Sequence, residues 1–185
     1  MKAIDELIAE HEAVRMTLKI LERIAERADT EKDPINLKHL EQLFDFFTVF
    51  VDRCHHGKEE ELLFPALEAV GVSREEGPIC LMLVEHQEGR RLVAGMKATT
   101  TRFQNGEADA LREFSHLASD YVSLLNYHIG KENAALFPLA KRHLSRETLT
   151  NLKDGFDPIE SERIGAGRHE AFHAMLFELE RAYLQ

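Results

Sequence analysis

Residues 55–67 read HHGKEEELLFPAL and residues 128–140 read HIGKENAALFPLA, agreeing at seven of thirteen positions across a distance of 73 residues. The shared letters are His, Gly, Lys, Glu, Leu, Phe and Pro. In each copy the histidine and the glutamate stand four apart, which on a helix puts both side chains on one face. Helical periodicity leads into both. Leu40, Leu43, Phe44, Phe47 and Val51 run up to His55, Glu59 and Leu62, and Phe114, Leu117, Tyr121 and Leu124 run up to His128, Glu132 and Leu136. The repeat also extends upstream. His11 precedes His55 by 44 residues and His86 precedes His128 by 42. His11 lies on the stripe of Ile4, Leu7, Ile8, Val14, Leu18 and Leu21, and His86 follows Ile79, Met82 and Leu83 and precedes Val93 and Met96.

The chain thus reads as two helical hairpins, each with a histidine on its first helix and His-x-x-x-Glu on its second. Asp33-Pro34, Gly71 with Gly77-Pro78, and Asn105-Gly106 supply the breaks. They predict helices at about 3–29, 35–70, 74–104 and 108–142. Short connections between long helices make neighbours antiparallel, so the expected fold is all-α, an up-down-up-down antiparallel four-helix bundle over residues 1–142. Residues 143–185 form the remainder. Asp154-Gly155, Asp157-Pro158 and Gly165-Ala166-Gly167 mark 143–167 as a turn-rich linker, and 168–184 form an amphipathic helix with Phe172, Met175, Leu176, Leu179 and Tyr183 toward the bundle.

Composition agrees with this class. The chain has 185 residues, 44% hydrophobic and 30% charged, with five prolines, ten glycines and no tryptophan. Those values suit a helical globular protein of one domain. A net charge of −10 without a basic stripe argues against nucleic-acid binding. The longest apolar runs, such as ICLMLV at 79–84, are too short to span a membrane. The amphipathic start, MKAIDELIAEHE, is not a signal peptide, and two cysteines make no disulfide framework, so a cytoplasmic location is expected. Cys54 beside His55 reads as a small buried hydrophobe rather than a ligand.

In antiparallel helices, residues equidistant from the turn lie level. The midpoint of His11 and His55 is residue 33, that of His86 and His128 is residue 107, and that of His55 and His86 falls at 70 or 71, all at the breaks. Four imidazoles and two carboxylates are therefore expected in one cross-section. Buried without partners they would cost several kcal/mol for each charge, which a pair of divalent cations removes. The simplest assignment makes Glu59 and Glu132 bridges and His11, His55, His86 and His128 terminal ligands, a set that suits iron. Gly57 and Gly130 each cost about 1 kcal/mol against alanine in a helix, so close approach of another group is expected there. Pro65 and Pro138 should kink both helices beyond the ligands and leave a splayed end as a route to the metals.

The other histidines weigh less. His39, His116 and His143 read as ordinary core or surface residues. His56 and Glu60 are register-shifted alternatives that the second copy, with Ile129 and Asn133, does not share. Glu113 with His116 and Glu170 with His173 spell Glu-x-x-His, the first away from the expected layer. His169 is a candidate ligand or lid, His173 a weaker one.

Taken together, AEHEAV around His11, HHGKEEELLFP from His55, VEHQ around His86 and YHIGKENAALFP through His128 and Glu132 resemble the hemerythrin-like (HHE cation-binding) family over residues 1–142. The resemblance implies a four-helix bundle holding two non-heme irons as an oxo- or hydroxo-bridged centre that binds oxygen or related small molecules. Oxygen-carrying hemerythrins supply a fifth histidine four residues from its partner on the third helix, where this chain has Met82 and Arg90. Six ligands leave each iron an exchangeable position unless His169 or water fills it.

Three functions follow. The first is binding or sensing of oxygen, redox state or iron, with output through a protein partner, since no output domain is attached. The second is a di-iron oxidoreductase acting on peroxide, nitric oxide or oxygen, or an iron donor for iron–sulfur repair, although an N-terminal cysteine-containing domain is lacking. The third is a bundle stapled by zinc or another redox-inert ion.

Overall fold

The computed structural model describes residues 2–30, 35–165 and 167–185, with only the backbone at residues 29 and 30. The described residues form helices and no strand. Helix α1 is Lys2–Thr30. Helix α2, residues 37–68, passes through Leu37–Phe46, two π-helical stretches at Phe47–His56 and Glu59–Leu63, and Phe64–Glu68. Helix α3 is Gly77–Gln104. Helix α4, residues 110–143, comprises Ala110–Lys131, a π-helical turn at Glu132–Leu136 and Phe137–His143. Helices α5, Arg146–Arg163, and α6, Arg168–Tyr183, complete the chain.

The connections follow the sequence breaks. Asn36 caps α2, its side chain accepting from the backbone N–H groups of Lys38 and His39; Asp33-Pro34 itself lies outside the described residues. Gly71, at φ 95°, ends α2 while the Val72 N–H bonds back to the Leu67 carbonyl. Gly106, at φ 99°, ends α3 in the same way, with the Glu107 N–H on the Arg102 carbonyl. Glycine takes this left-handed conformation without steric cost.

Both copies of the repeated motif place a π turn before the proline. The Phe64 N–H bonds to the Glu59 carbonyl and the Phe137 N–H to that of Glu132, five residues back rather than four. Pro65 and Pro138, which have no N–H to give, follow turns already widened, and the helix resumes with them. The extra residue in the turn also shifts the apolar stripe: Leu63 is buried and Leu62 only half-buried, the reverse of a strict helical reading.

Along each of the four long helices the core is interrupted once. A larger apolar cluster includes Val14 and Leu18 of α1, Phe47 of α2, Met96 of α3 and Tyr121 of α4. A smaller one joins Ile4 and Leu7, Leu63 and Phe64, Ile79 and Met82, and Leu136 and Phe137. His11, His55 with Glu59, His86, and His128 with Glu132 lie in the intervals.

Residues 143–167 differ from expectation: a helix occupies most of the linker. Ser145 caps α5 by accepting from the Thr148 N–H, and Leu149, Leu152, Phe156 and Ile159 line one buried face. Gly155 marks a close approach rather than a turn, since a Cβ there would stand 3.0 Å from Leu62 Cδ1. Pro158 is carried inside the helix. Leu149, Leu152 and Phe156 pack into the smaller cluster. The end expected to splay behind the prolines is therefore covered. Arg163 fastens α5 to α2, giving Nη1 to the Arg53 carbonyl at 2.7 Å and Nη2 to both Glu61 oxygens at 2.7 Å. Helix α6 packs on α1 and α2, burying Phe172, Met175 and Leu179.

The two motif glycines part company. A Cβ on Gly57 would meet Arg163 Nη1 at 2.3 Å, whereas one on Gly130 meets nothing within 4 Å. Close approach thus explains Gly57 alone. In urea denaturation, Gly130→Ala should stabilise the protein by up to about 1 kcal/mol, while Gly57→Ala should gain nothing because it displaces Arg163. Phe156→Ala should cost about 3–5 kcal/mol as a cavity opens under α5.

Candidate metal centre

Helices α1 and α3 contribute one residue each to the interrupted layer, and α2 and α4 contribute two each from successive helical turns. All six are at most 2% exposed. His11 Nε2 faces His55 Nε2 at 3.1 Å, and His86 Nε2 faces His128 Nε2 at 3.2 Å. Glu59 sets Oε1 3.7 Å from His55 Nε2 and Oε2 3.4 Å from His86 Nε2. Glu132 sets Oε2 3.1 Å from His11 Nε2 and Oε1 3.2 Å from His128 Nε2. Each carboxylate thus spans both imidazole pairs. Two groups of four donors result, His11, His55, Glu59 and Glu132, and His86, His128, Glu59 and Glu132, with ligand atoms within 4.8 Å of one another in each.

The outer ring nitrogens decide which way the imidazoles present their lone pairs. His55 Nδ1 donates to Glu10 at 2.7 Å, His86 Nδ1 to Glu60 at 2.7 Å, His128 Nδ1 to Glu85 at 3.0 Å and His11 Nδ1 to Asn133 Oδ1 at 3.1 Å. With the proton held on Nδ1, each Nε2 lone pair points into the layer. The acids are held in turn. Glu10 accepts from Lys58 Nζ at 2.5 Å, Glu60 from Arg90 at 2.6 Å, and Glu85 from Lys131. Lys58 is fully buried and also reaches Glu6 and Glu160, at 3.0 and 3.2 Å.

This arrangement leaves the centre short of positive charge. All four oxygens of Glu59 and Glu132 are sealed from solvent and have no hydrogen-bond donor among the described residues. Four inward lone pairs and two unpaired carboxylates in an apolar interior are unfavourable by several kcal/mol each. The titration behaviour shows the same need for positive charge, which a proton on Nε2 and a metal at Nε2 would compete to meet. Burial alone would lower the imidazoles of His55, His86 and His128, yet the surrounding carboxylates outweigh it and raise all three, His128 to about 10. Burial would likewise raise Glu10, but the hydrogen bond and charge of His55, with Lys58, hold it at about 2. Imidazole nitrogens and carboxylate oxygens in this pattern fit metal cations of the first transition row.

His56 departs from the sequence reading. It is 4% exposed, and neither ring nitrogen has a hydrogen-bond partner among the described residues. Its Nδ1 lies 3.6 Å from Asp52 Oδ1, too far for a hydrogen bond. Burial, followed by the neighbouring His86, His128 and His55, pushes it well below the ordinary histidine range. A nitrogen of His56 lies near those of His86 and His128. The ring nevertheless stacks on His86, with centroids 3.8 Å apart and planes 13° from parallel. Stacked rings cannot both hold one ion in plane at a bond length of about 2.0–2.1 Å, so His56 is a wall of the site rather than a match for the four.

Beside it lies a cavity of 180 Å³, with Phe47, Val51, Val93 and Tyr121 among its apolar lining and His56 and His86 in its wall. It opens on the side of the larger core cluster, opposite the end where the sequence suggested a route. The remaining histidines stand apart. His116, His143 and His173 are exposed, as is His169, which lies 3.9 Å from Glu160 and against the ring of His173. His39 bonds Tyr183 Oη at 2.8 Å. The Cys54 thiol is buried and pushed up to about 12 by that burial, so it is inert. The residues missed by the sequence reading are Glu10, Lys58, Glu60, Glu85, Lys131 and Asn133. Their signal was present: Glu-His opens both hairpins, and Lys occupies the same place in both motifs.

Comparison with known proteins bears on the whole of this layer. A family model described as the Hemerythrin HHE cation binding domain matches residues 2–140. Uncharacterised proteins of Mycobacterium tuberculosis and Mycobacterium bovis are 21% identical over 178 residues, 96% of this chain and 69% of theirs. The iron-sulfur cluster repair protein DnrN of Neisseria gonorrhoeae is 37% identical over 86 residues, 45% of this chain and 54% of that protein. The iron-sulfur cluster repair protein YtfE of an Enterobacter species is 34% identical over 89 residues, 46% of this chain and 40% of that protein. No solved structure matches the chain. Since the family match runs from the first turn of α1 past Glu132 and Pro138, the chain belongs to the hemerythrin HHE cation-binding domain family.

Proposed function

We propose that the layer holds two iron ions, one between His11 and His55 and the other between His86 and His128, with Glu59 and Glu132 bridging both. The observation that carries this reading is the pair of sealed carboxylates, each aiming one oxygen at each imidazole pair without a donor. The four long helices are read as running up, down, up and down through residues 1–142, with residues 143–185 as a cover on that bundle. The function is binding or sensing of oxygen or a related small molecule such as nitric oxide or peroxide, with a protein partner receiving any signal.

An iron pair would supply one-electron chemistry beside a small bound molecule. The chain's own contribution is to fix and shelter it. Glu10, Glu60, Glu85 and Asn133 hold the Nδ1 protons and with them the orientation of every ring. The cavity beside His86, lined by Phe47, Val51, Val93 and Tyr121 together with Asp52, Arg90 and Lys97, gives a small molecule room next to that ring. Among the described residues no helix is long and apolar enough to cross a membrane.

A second reading is favoured by the likeness to two iron-sulfur cluster repair proteins, each matched over less than half of this chain. In that reading the iron is delivered or used in redox chemistry rather than kept for reversible binding. Transfer of iron from the loaded protein to a cluster-depleted acceptor supports the second reading. A spectral change reversed by removing oxygen, without turnover, supports the first.

Metal analysis after aerobic purification should find about two irons per chain, and Glu59→Ala with Glu132→Ala should abolish both. Zinc alone in the wild-type protein would refute the iron assignment. Stripping the iron should also lower the thermal midpoint, since a cation bound only by the folded chain contributes about 2.7 kcal/mol at a free concentration one hundred times its dissociation constant.

A further inference from the structure

The two halves of the layer are built on the same plan and differ behind one ring. In the repeat, Glu60 of the first motif corresponds to Asn133 of the second. Glu60 accepts from His86 Nδ1 at 2.7 Å, and Asn133 accepts from His11 Nδ1 at 3.1 Å. Both rings of the His86 and His128 pair are therefore backed by carboxylates, while the His11 and His55 pair has one carboxylate and one neutral amide. A carboxylate on Nδ1–H draws the proton away from the ring and makes Nε2 a stronger donor, which an amide does far less.

Charge farther out does not cancel the difference. Behind His11 and His55 lie four acids, Glu6, Glu10, Asp157 and Glu160, against two cations, Lys58 and Lys153. Behind His86 and His128 lie three acids, Asp52, Glu60 and Glu85, against two cations, Arg90 and Lys131. Asp157 is 70% exposed and its charge is screened by solvent; without it the networks match in sign and number, so the contrast rests on the direct partner of one imidazole.

We infer that the two cation positions are unequal by construction: the His86 and His128 position fills first and binds more tightly, and Asn133 is the positioning residue that weakens the other. This rests on the metal reading above and adds an order to it. Asn133→Asp and Glu60→Gln change charge with almost no change of shape, which makes both suitable probes.

Zinc, being redox-inert, reports affinity alone. Calorimetric titration of metal-free protein should show two steps whose dissociation constants differ by about tenfold to a hundredfold, the usual effect of a partner behind a ligating histidine. Asn133→Asp should tighten the weaker step and narrow the gap. Glu60→Gln should weaken the tighter step and narrow it from the other side. His11→Ala should keep the tight step and His86→Ala should lose it. Two equal steps in the wild-type protein, a gap unmoved by both isosteric changes, or loss of the tight step in His11→Ala overturns the inference. Circular dichroism confirms that each variant is folded; if Asn133→Asp is not, Glu60→Gln decides alone, supporting the inference by a narrowed gap and overturning it by an unchanged one. Wild-type protein that takes up no zinc and no iron overturns the metal reading and this ordering together, whereas two zinc ions with equal constants overturns only the ordering.

Discussion

Two glutamates buried in an apolar interior govern this structure. Glu59 and Glu132 have no accessible surface and no hydrogen-bond donor within the described residues. A carboxylate in that setting is tolerated only beside fixed positive charge, so the surrounding helices are arranged to deliver it. Four of them bring an imidazole to the same level, and every imidazole turns its lone pair inward because an acceptor outside holds its proton. The core splits into two apolar clusters because this layer runs through all four helices.

The inner six residues depend on an outer set less visible in a sequence. Glu10, Glu60 and Glu85 each sit between an imidazole and a cation, so removal of any one frees a ring and takes an anion from the neighbouring cation. Repeated Lys58 and Lys131 show that this outer set was duplicated with the inner one. The divergences at 56 against 129 and 60 against 133 both fall next to His86, by stacking on it and by bonding to it. The two halves therefore share the central carboxylates and differ behind the rings.

Much of this was legible from spacing. The glycine breaks at 71 and 106 are where the chain turns, and the intervals from those breaks brought the six residues to one level, because helical rise fixes height once the turns are known. What escaped reading has identifiable causes. Asp-Gly and Asp-Pro pairs argued for turns between 154 and 158, yet Gly155 is there to admit Leu62, a contact between segments far apart in sequence. Strict periodicity misplaced Leu62 and Leu63 because π turns add a residue that no propensity announces. His56 was set aside for lacking a counterpart in the second copy, a test that detects shared roles and is blind to a residue serving one half. Lys58 is among the least accessible side chains although it is charged, since its three acids lie on α1 and α5, far from it in sequence.

That lysine ties the tail of the chain to the centre. Glu160 of α5 and Glu10 of α1 bind the same ammonium, and Glu10 is also the acceptor that orients His55. Helix α5 contributes no donor to the layer, yet lifting it would remove one of three anions around Lys58 and leave Glu10 a larger share of that charge. The electron-donating strength of one imidazole is in this way geared to the docking of a helix that supplies it no ligand-side partner, a lever by which anything gripping the outer surface of α5 would be felt at the heart of the bundle.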